Sequence, residues 1–455
     1  MDRPIVLRRA RVLLDLGGTT VADDGGLVLR GGKVALVGQT ADADRWAREN
    51  AREAPEVIDA SGSVVFPGLV NAHTHLYSTL ARGMPLMGEP PAEFDQILER
   101  IWWPLDRALE EEDVYLSALV GLVECARAGV TTVIDHHASE RAIEGSLEAV
   151  ARAAREVGVR LSTCFEVTDR DGPEVARRGI EENARFARTE RGDLGGLPQV
   201  VPTFGLHAAF TLSDATLARS RDAARESGLP GFHVHVAESR FDGSAVTRLA
   251  KAGILGPKTI AAHCVHVREE ERALLAKTGT LVVTNPSSNR NNAVGRADLV
   301  EHLRAGISLG LGTDGMSPDV LAECAQVFLG CKDEAQDPRA GWVAARAALA
   351  GTKAVADALF GLGPSTELRT GLGAIAEGGP ADLIIVDYDP WTPFDGTNWP
   401  GHVLYGGLGS RVRHAICGGR WVLRNGRAAR VPDLERHVAR ARERALALWN
   451  RRRIP

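Results

Sequence analysis

The sequence predicts an α/β fold: a (β/α)8 TIM barrel with a small β-sandwich built from both chain ends. Three observations point there. Between residues 67 and 366, eight short apolar runs alternate with Ala-, Arg- and Glu-rich stretches of helical period. Nearly every run closes on a polar residue (His75, His137, Glu166, His207, Glu238, His263, Asn289 and Asp314), and barrels build their active sites at the C-terminal ends of their strands. The flanking segments read instead as short strands punctuated by Gly and Asp turns.

Taken in order, the first segment offers "IVLRRARVLLD", "GGLVLRGGKVALVGQ" and "EVIDASGSVVFPG" as strands. The eight barrel runs follow: "GLVNAHTH", "VTTVIDHH", "VRLSTCFEV", "VVPTFGLHAAF", "GFHVHVAES", "TIAAHCVHV", "TLVVTNPSSN" and "SLGLGTDG". Stretches such as "EEDVYLSALVGLVECARAG" supply the helices between them. A doubly wound open sheet is the rival architecture, but the Gly-rich turn expected after its first strand is missing. Beyond the barrel, "PADLIIVDYDP" and "VRHAICGGRWVLRNGR" are strands again. Neither flank holds enough apolar surface to fold alone, so residues 1–66 and 367–430 are expected to pair into one domain. Residues 67–366 form the barrel, and 431–455 a closing helix.

The 455 residues are 44% hydrophobic and 25% charged, ordinary for a soluble globular protein. A formal charge of -5 gives no reason to expect nucleic acid or an anionic membrane as partner. The basic C-terminal run lacks interleaved aromatics and reads as a solvated helix face. Six cysteines without C-x-x-C spacing suggest reduced thiols. No apolar leader or membrane span is evident, so a cytoplasmic location is expected.

Chemistry concentrates at the strand ends. His73 and His75 in "NAHTH" alternate with Thr74, so both imidazoles face one side of the first strand. His233 and His235 share a face of the fifth strand in the same way, and periodicity does not decide which is a ligand. With the sixth-strand "AAHC" and the eighth-strand "GTDG", imidazoles and one carboxylate converge at the rim, a donor set suited to a divalent first-row metal, zinc above all.

"PGLVNAHTH", "HVHVAE", "AAHC" and "GTDG" together resemble the amidohydrolase superfamily in its mononuclear, deaminase-like branch. "YSTLARGM", "IWWPLDRALEEEDVYLSALVGLVE", "VIDHHAS", "TCFEVTDRDG" and "GIEENARFAR" are similar to SsnA-type aminohydrolases within it. The resemblance covers almost the whole chain. It implies His73, His75, His235 and Asp314 as metal ligands, Glu238 as the acid/base carboxylate and His263 as the residue orienting the attacking water. Asp314 counts among the catalytic residues too. Dinuclear relatives close the fourth strand with a carboxylated lysine; His207 stands here, so one metal ion is implied, zinc first and iron as the alternative. The chemistry implied is hydrolytic deamination of a purine- or pterin-like heterocycle, since a divalent metal lowers the pKa of bound water from ~16 towards ~7. Triazine-type dechlorination and opening of a cyclic amide would use the same parts, and a noncatalytic metal-binding barrel is the reading from another class.

His207, Arg82, Trp103 with its neighbour Trp102, and Asn289 are the substrate-contact candidates: a rim histidine, a cation, planar rings and an amide donor. Packing, solvation and loop capping are the plain alternatives for the last three. Of the adjacent His136 and His137 only one should face inward, in a supporting role. Cys264 should face away from the site. The expected partner is a small heterocycle, and a homodimer follows only by analogy with related enzymes.

Overall fold

Gly68 is the single residue between two sheets. The structure, a computed structural model, describes residues 3–16, 21–229, 231–362 and 371–452. A Cβ at Gly68 would stand 2.1 Å from Thr131 Oγ1, so only glycine permits the close crossing of chains there.

On one side lies a nine-stranded sheet drawn from both chain ends. Its strands are β1 (Ile5–Leu13), β2 (Val21–Arg30), β3 (Lys33–Gln39), β4 (Glu56–Asp59) and β5 (Val64–Pro67). After the barrel come β15 (Leu383–Val386), β16 (Val412–Cys417), β17 (Arg420–Arg424) and β18 (Arg427–Ala428). The order is β18-β17-β16-β15-β5-β1-β2-β3, with β4 also paired to β1. β15 runs antiparallel to β5 with Leu383 opposite Pro67, so the two ends share one hydrogen-bonded sheet. The boundary placed at 366/367 lies outside the described residues, as do 453–455 of the closing helix.

On the other side the parallel strands are β6 (Leu69–Thr74), β7 (Val130–Asp135), β8 (Arg160–Thr163), β9 (Val200–Pro202), β10 (Phe204–Ala208), β11 (Phe232–Val236), β12 (Ile260–His263), β13 (Leu281–Thr284) and β14 (Leu309–Leu311). They fall in the sheets β6-β7-β8-β9 and β10-β11-β12-β13-β14. β9 and β10 are two halves of the fourth run: the first half pairs with β8 and the second with β11. Parallel bridges Thr74–Asp314 and Val167–Leu206 join the sheets at both seams. The eight predicted runs thus occur in ring order, buried on both faces as helix-wrapped parallel strands must be.

Two contacts tie the parts together. Arg160 on β8 is fully buried and meets Asp382 in a bidentate pair, Nε to Oδ2 at 2.7 Å and Nη2 to Oδ1 at 3.0 Å. The closing helix Leu434–Arg451 lies on the helix Glu111–Arg127. There Arg444 reaches Asp113 at 2.6 Å, and Arg440 pairs with Glu112 at 2.7 Å. Part of the basic face is therefore committed to an acidic helix start rather than to solvent. Trp449 Nε1 donates to Leu80 O at 2.8 Å, bracing the turn that follows β6. All six cysteines are free, and no helix among the described residues is long and apolar enough to cross a membrane.

Candidate metal centre and substrate cavity

Strand alternation delivers His73 and His75 to the inside of the ring, as expected. His75 Nδ1 lies 2.6 Å from His136 O; a carbonyl only accepts, so Nδ1 carries a proton and Nε2 is the nitrogen left to bind a metal. That Nε2 stands 3.2 Å from His235 Nε2 and 3.0 Å from Asp314 Oδ1. His73 Nε2 is 3.7 Å from the same oxygen and, though buried, has no hydrogen-bond partner. The ligand atoms of His73, His75 and Asp314 lie within 4.8 Å of one another, as do those of His73, His235 and His263. Buried imidazole nitrogens without partners, converging on a carboxylate, fit a divalent cation.

Each inward imidazole is held from behind. His73 Nδ1 lies 2.8 Å from His233 Nε2, which resolves the ambiguity on β11: His235 faces the centre and His233 backs His73. His263 Nδ1 lies 2.8 Å from Asn289 Oδ1, an acceptor, leaving its buried Nε2 bare at 3.6 Å from Glu238 Oε2 and 3.9 Å from Asp314 Oδ2. Such outer contacts fix tautomer and ring orientation. His263 and Asp314 also sit in the left-handed backbone region, at φ 73° and 54°, a strain that accumulates at functional sites.

Burial holds His73, His136 and His235 well below the ordinary imidazole value, in the neutral form a metal requires. Burial also works against charge on His75, but the hydrogen bond and charge of Asp314 push it up to about 10. That proton has to leave for both groups to grip one cation. Burial raises Glu238, with the charges of His263 and Asp314 acting in opposite directions on it. Its Oε1 accepts from Asn292 Nδ2 at 3.3 Å.

A cavity of about 430 Å³ opens over these groups. His75, His207, His235, Glu238, His263 and Asp314 all line it, as do Trp102 and Trp103. His207 Nδ1 lies 2.8 Å from Thr211 Oγ1. The structure does not bring Arg82 there. The turn Leu76–Ala81 carries it to an adjoining pocket of about 90 Å³, beside Gly121 and Cys125, whose wall shares His75, Trp102 and Asp314 with the cavity. Asn289 also misses the cavity wall: Pro286 starts a short helix after β13, and Asn289 on it turns behind His263. Cys264 is buried, its Sγ 3.7 Å from Ala261 O.

His136 and His137 are both fully buried. His136 stacks on His233 at 4.5 Å, while His137 Nε2 lies 2.9 Å from Ser139 Oγ. Asp106 and Arg170 were not expected at the site yet line the cavity with Glu166. Arg170 Nη2 donates to Asp106 at 2.6 Å and also to Glu140. Burial pushes Glu166 up to about 8 and Asp106 up to about 7. Glu166 ends the third apolar run, and the sequence assigns it no role; Asp106 lies in a helix whose wrap over the cavity no local pattern announces.

A family model described as the amidohydrolase family matches residues 64–422. The chain belongs to the amidohydrolase family. It is thus a hydrolase of a metal-dependent family whose members act on carbon–nitrogen bonds. A 5'-deoxyadenosine deaminase of Methanosarcina mazei is 31% identical to it over 97% of each chain. A 5-methylthioadenosine/S-adenosylhomocysteine deaminase of Pelotomaculum thermopropionicum is 31% identical over 98% of this chain and 99% of the relative. Among solved structures, a zinc-bound adenosine deaminase from Xanthomonas campestris superposes with a TM-score of 0.81 at 24% identity, covering 99% of both chains. That likeness bears on the fold.

Proposed function

We propose that this amidohydrolase deaminates a nitrogen heterocycle, exchanging a ring amino group for a carbonyl with release of ammonia. The observation that carries the reading is Glu238 and the bare Nε2 of His263 standing together, 3.6 Å apart, over Asp314. The relatives named as adenosine-type deaminases support it.

In this reading His73, His75, His235 and Asp314 hold one divalent ion, zinc by its preference for such a donor set, with iron the alternative. When bound, the ion supplies acidified water at neutral pH and polarises the carbon under attack. His263, its Nδ1 committed to Asn289, accepts a hydrogen bond from the attacking water and sets its line of approach. Glu238 takes that water's proton and passes it to the leaving nitrogen, work worth about a hundredfold to ten-thousandfold. Trp102, Trp103, Phe94 and Leu98 close an apolar wall around a planar ring. His207 contacts the ring from the fourth strand.

The test is a heterocycle library presented to the metal-loaded protein and read by ammonia release and mass change. Release of ammonia with a gain of about one mass unit supports the reading; halide release or ring opening alone contradicts it.

A further inference from the structure

Three of the groups assigned to the reaction are held by one short helix, Pro286–Asn291, and the residue that ends it. Ser288 Oγ donates to Asp314 Oδ2, and Asn289 Oδ1 meets His263 Nδ1 at 2.8 Å. Asn292, one turn on from Ser288 and on the same side of the helix, donates through Nδ2 to Glu238 Oε1 at 3.3 Å. The same Nδ2 stands 3.4 Å from Ser288 Oγ, so its two hydrogens serve both carboxylates, Glu238 directly and Asp314 through the hydroxyl. An ionised carboxylate only accepts, which turns the nitrogen of the Asn292 amide towards Glu238. Asn291 Nδ2 donates to Asn292 Oδ1 at 3.1 Å and favours the same orientation. The helix is itself anchored, because Ser287 N donates to Oε2 of the buried Glu323 at 3.0 Å. Unlike Asn289, Asn292 stands on the cavity wall with Glu238 and His263.

We propose that Asn292 is a positioning residue for proton delivery: by engaging Oε1 of Glu238 it leaves Oε2 as the oxygen that moves the proton. The inference rests on the deaminase reading above. Oε2 is the oxygen that faces His263, 3.6 Å from the Nε2 that in that reading meets the attacking water. A carboxyl group held at one oxygen does not swing freely, so Oε2 stays aimed at the reacting atoms. The water oxygen bonds to the amino-bearing carbon as one proton passes to Oε2. The carbon–nitrogen bond then breaks as Oε2 returns that proton to the amino nitrogen, which departs as ammonia. The water's second proton stays with the product, on its oxygen or its ring nitrogen. One water is consumed, and nothing is oxidised or reduced. A leaving group that departs as an anion needs no proton, so chlorine on the same carbon calls on Glu238 once where an amino group calls on it twice.

The experiment compares the metal-loaded full chain with Asn292→Leu, which keeps the size but no donor, and Asn292→Gln, which keeps the amide on a longer arm. Each is given the ring that releases ammonia in the library test and the same ring with chlorine in place of the amino group. Asn292→Leu should lower kcat for the amino ring about tenfold to a hundredfold, with KM within about twofold. Chloride release should fall by no more than about threefold, since only one of the two proton transfers is affected. Asn292→Gln should recover part of the loss. Elemental analysis should find the same metal content in all three proteins. Asn292→Ala takes the same tests in case the leucine variant does not fold. If the wild-type chain leaves the chloro ring untouched, the solvent deuterium isotope effect on kcat replaces it; it should rise in Asn292→Leu as proton delivery becomes slow. Equal losses on both leaving groups, an unchanged isotope effect or unaltered amino turnover overturns this inference alone. Loss of metal in Asn292→Leu assigns the amide to Asp314 through Ser288 and overturns its role at Glu238. Ammonia from no ring overturns the deaminase reading, and this inference with it.

Discussion

Asn289 Oδ1 lies 2.8 Å from His263 Nδ1, and this contact leaves the other ring nitrogen of His263 bare towards Glu238 and Asp314. A residue that looked like a substrate contact therefore sits one layer back. Asn289→Ala should free the imidazole to turn and to change tautomer, lowering kcat about tenfold to a hundredfold while KM and metal content stay near wild type. Steady-state ammonia release at several substrate concentrations separates the two constants.

Glu238→Gln preserves shape and the contact with Asn292 but removes the proton carrier. Turnover should fall by about a hundredfold to ten-thousandfold. Elemental analysis should still find the metal, because Glu238 is not among the four groups assigned to hold it. Loss of the metal together with activity would move Glu238 into the ligand set.

Removal of the metal by a chelator should abolish activity and lower the thermal midpoint. Re-addition of zinc should restore both, since a ligand bound only by the folded state stabilises it. His75→Ala and Asp314→Ala should each prevent metal uptake. Their apparent stability should then no longer respond to added zinc.

Arg160 and Asp382 are both at most 2% exposed, so removing either strands a charge. Asp382→Ala should cost about 3–5 kcal/mol by denaturant unfolding. Asp382 also accepts from the backbone N of Gly418 at 2.6 Å, which adds to the loss. The double replacement Arg160→Met with Asp382→Leu should be less damaging than Asp382→Ala alone.

Burial pushes Asp242 up to about 7 from an ordinary value of 3.8. Between those values the folded chain holds a proton that the unfolded chain has released. Its contribution to stability is therefore most favourable below pH 4 and declines as the pH rises through 7. Asp242→Asn retains an acceptor for the Ala237 N–H, now bonded at 2.8 Å, and should flatten this part of the slope. Unfolding curves at pH 5.5 and 8 for both proteins measure the difference.

The parts legible in the sequence were those set by local periodicity. Alternation along β6 and β11 placed His73, His75, His233 and His235 on the inner face, and the eight runs appear in their predicted order. Choosing between His233 and His235 needed depth along the ring axis, a tertiary quantity, and only the 2.8 Å contact to His73 displays it. Arg82 and Asn289 stand off the cavity wall for a related reason: each follows a strand end, where one tight turn redirects the side chain, Arg82 to the adjoining pocket and Asn289 behind His263. Asp106 and Arg170 meet across 64 positions of sequence, and no pattern in either segment announces the other.

The pairing of β5 with β15 also has a consequence for how the protein is made. The N-terminal strands leave the ribosome early, but β5 lacks one neighbour until Leu383–Val386 has been synthesised. For most of translation an apolar strand edge stands open, the kind of edge that invites association between chains. Nascent chains of this protein should accordingly depend on a holding chaperone until β15 has been made.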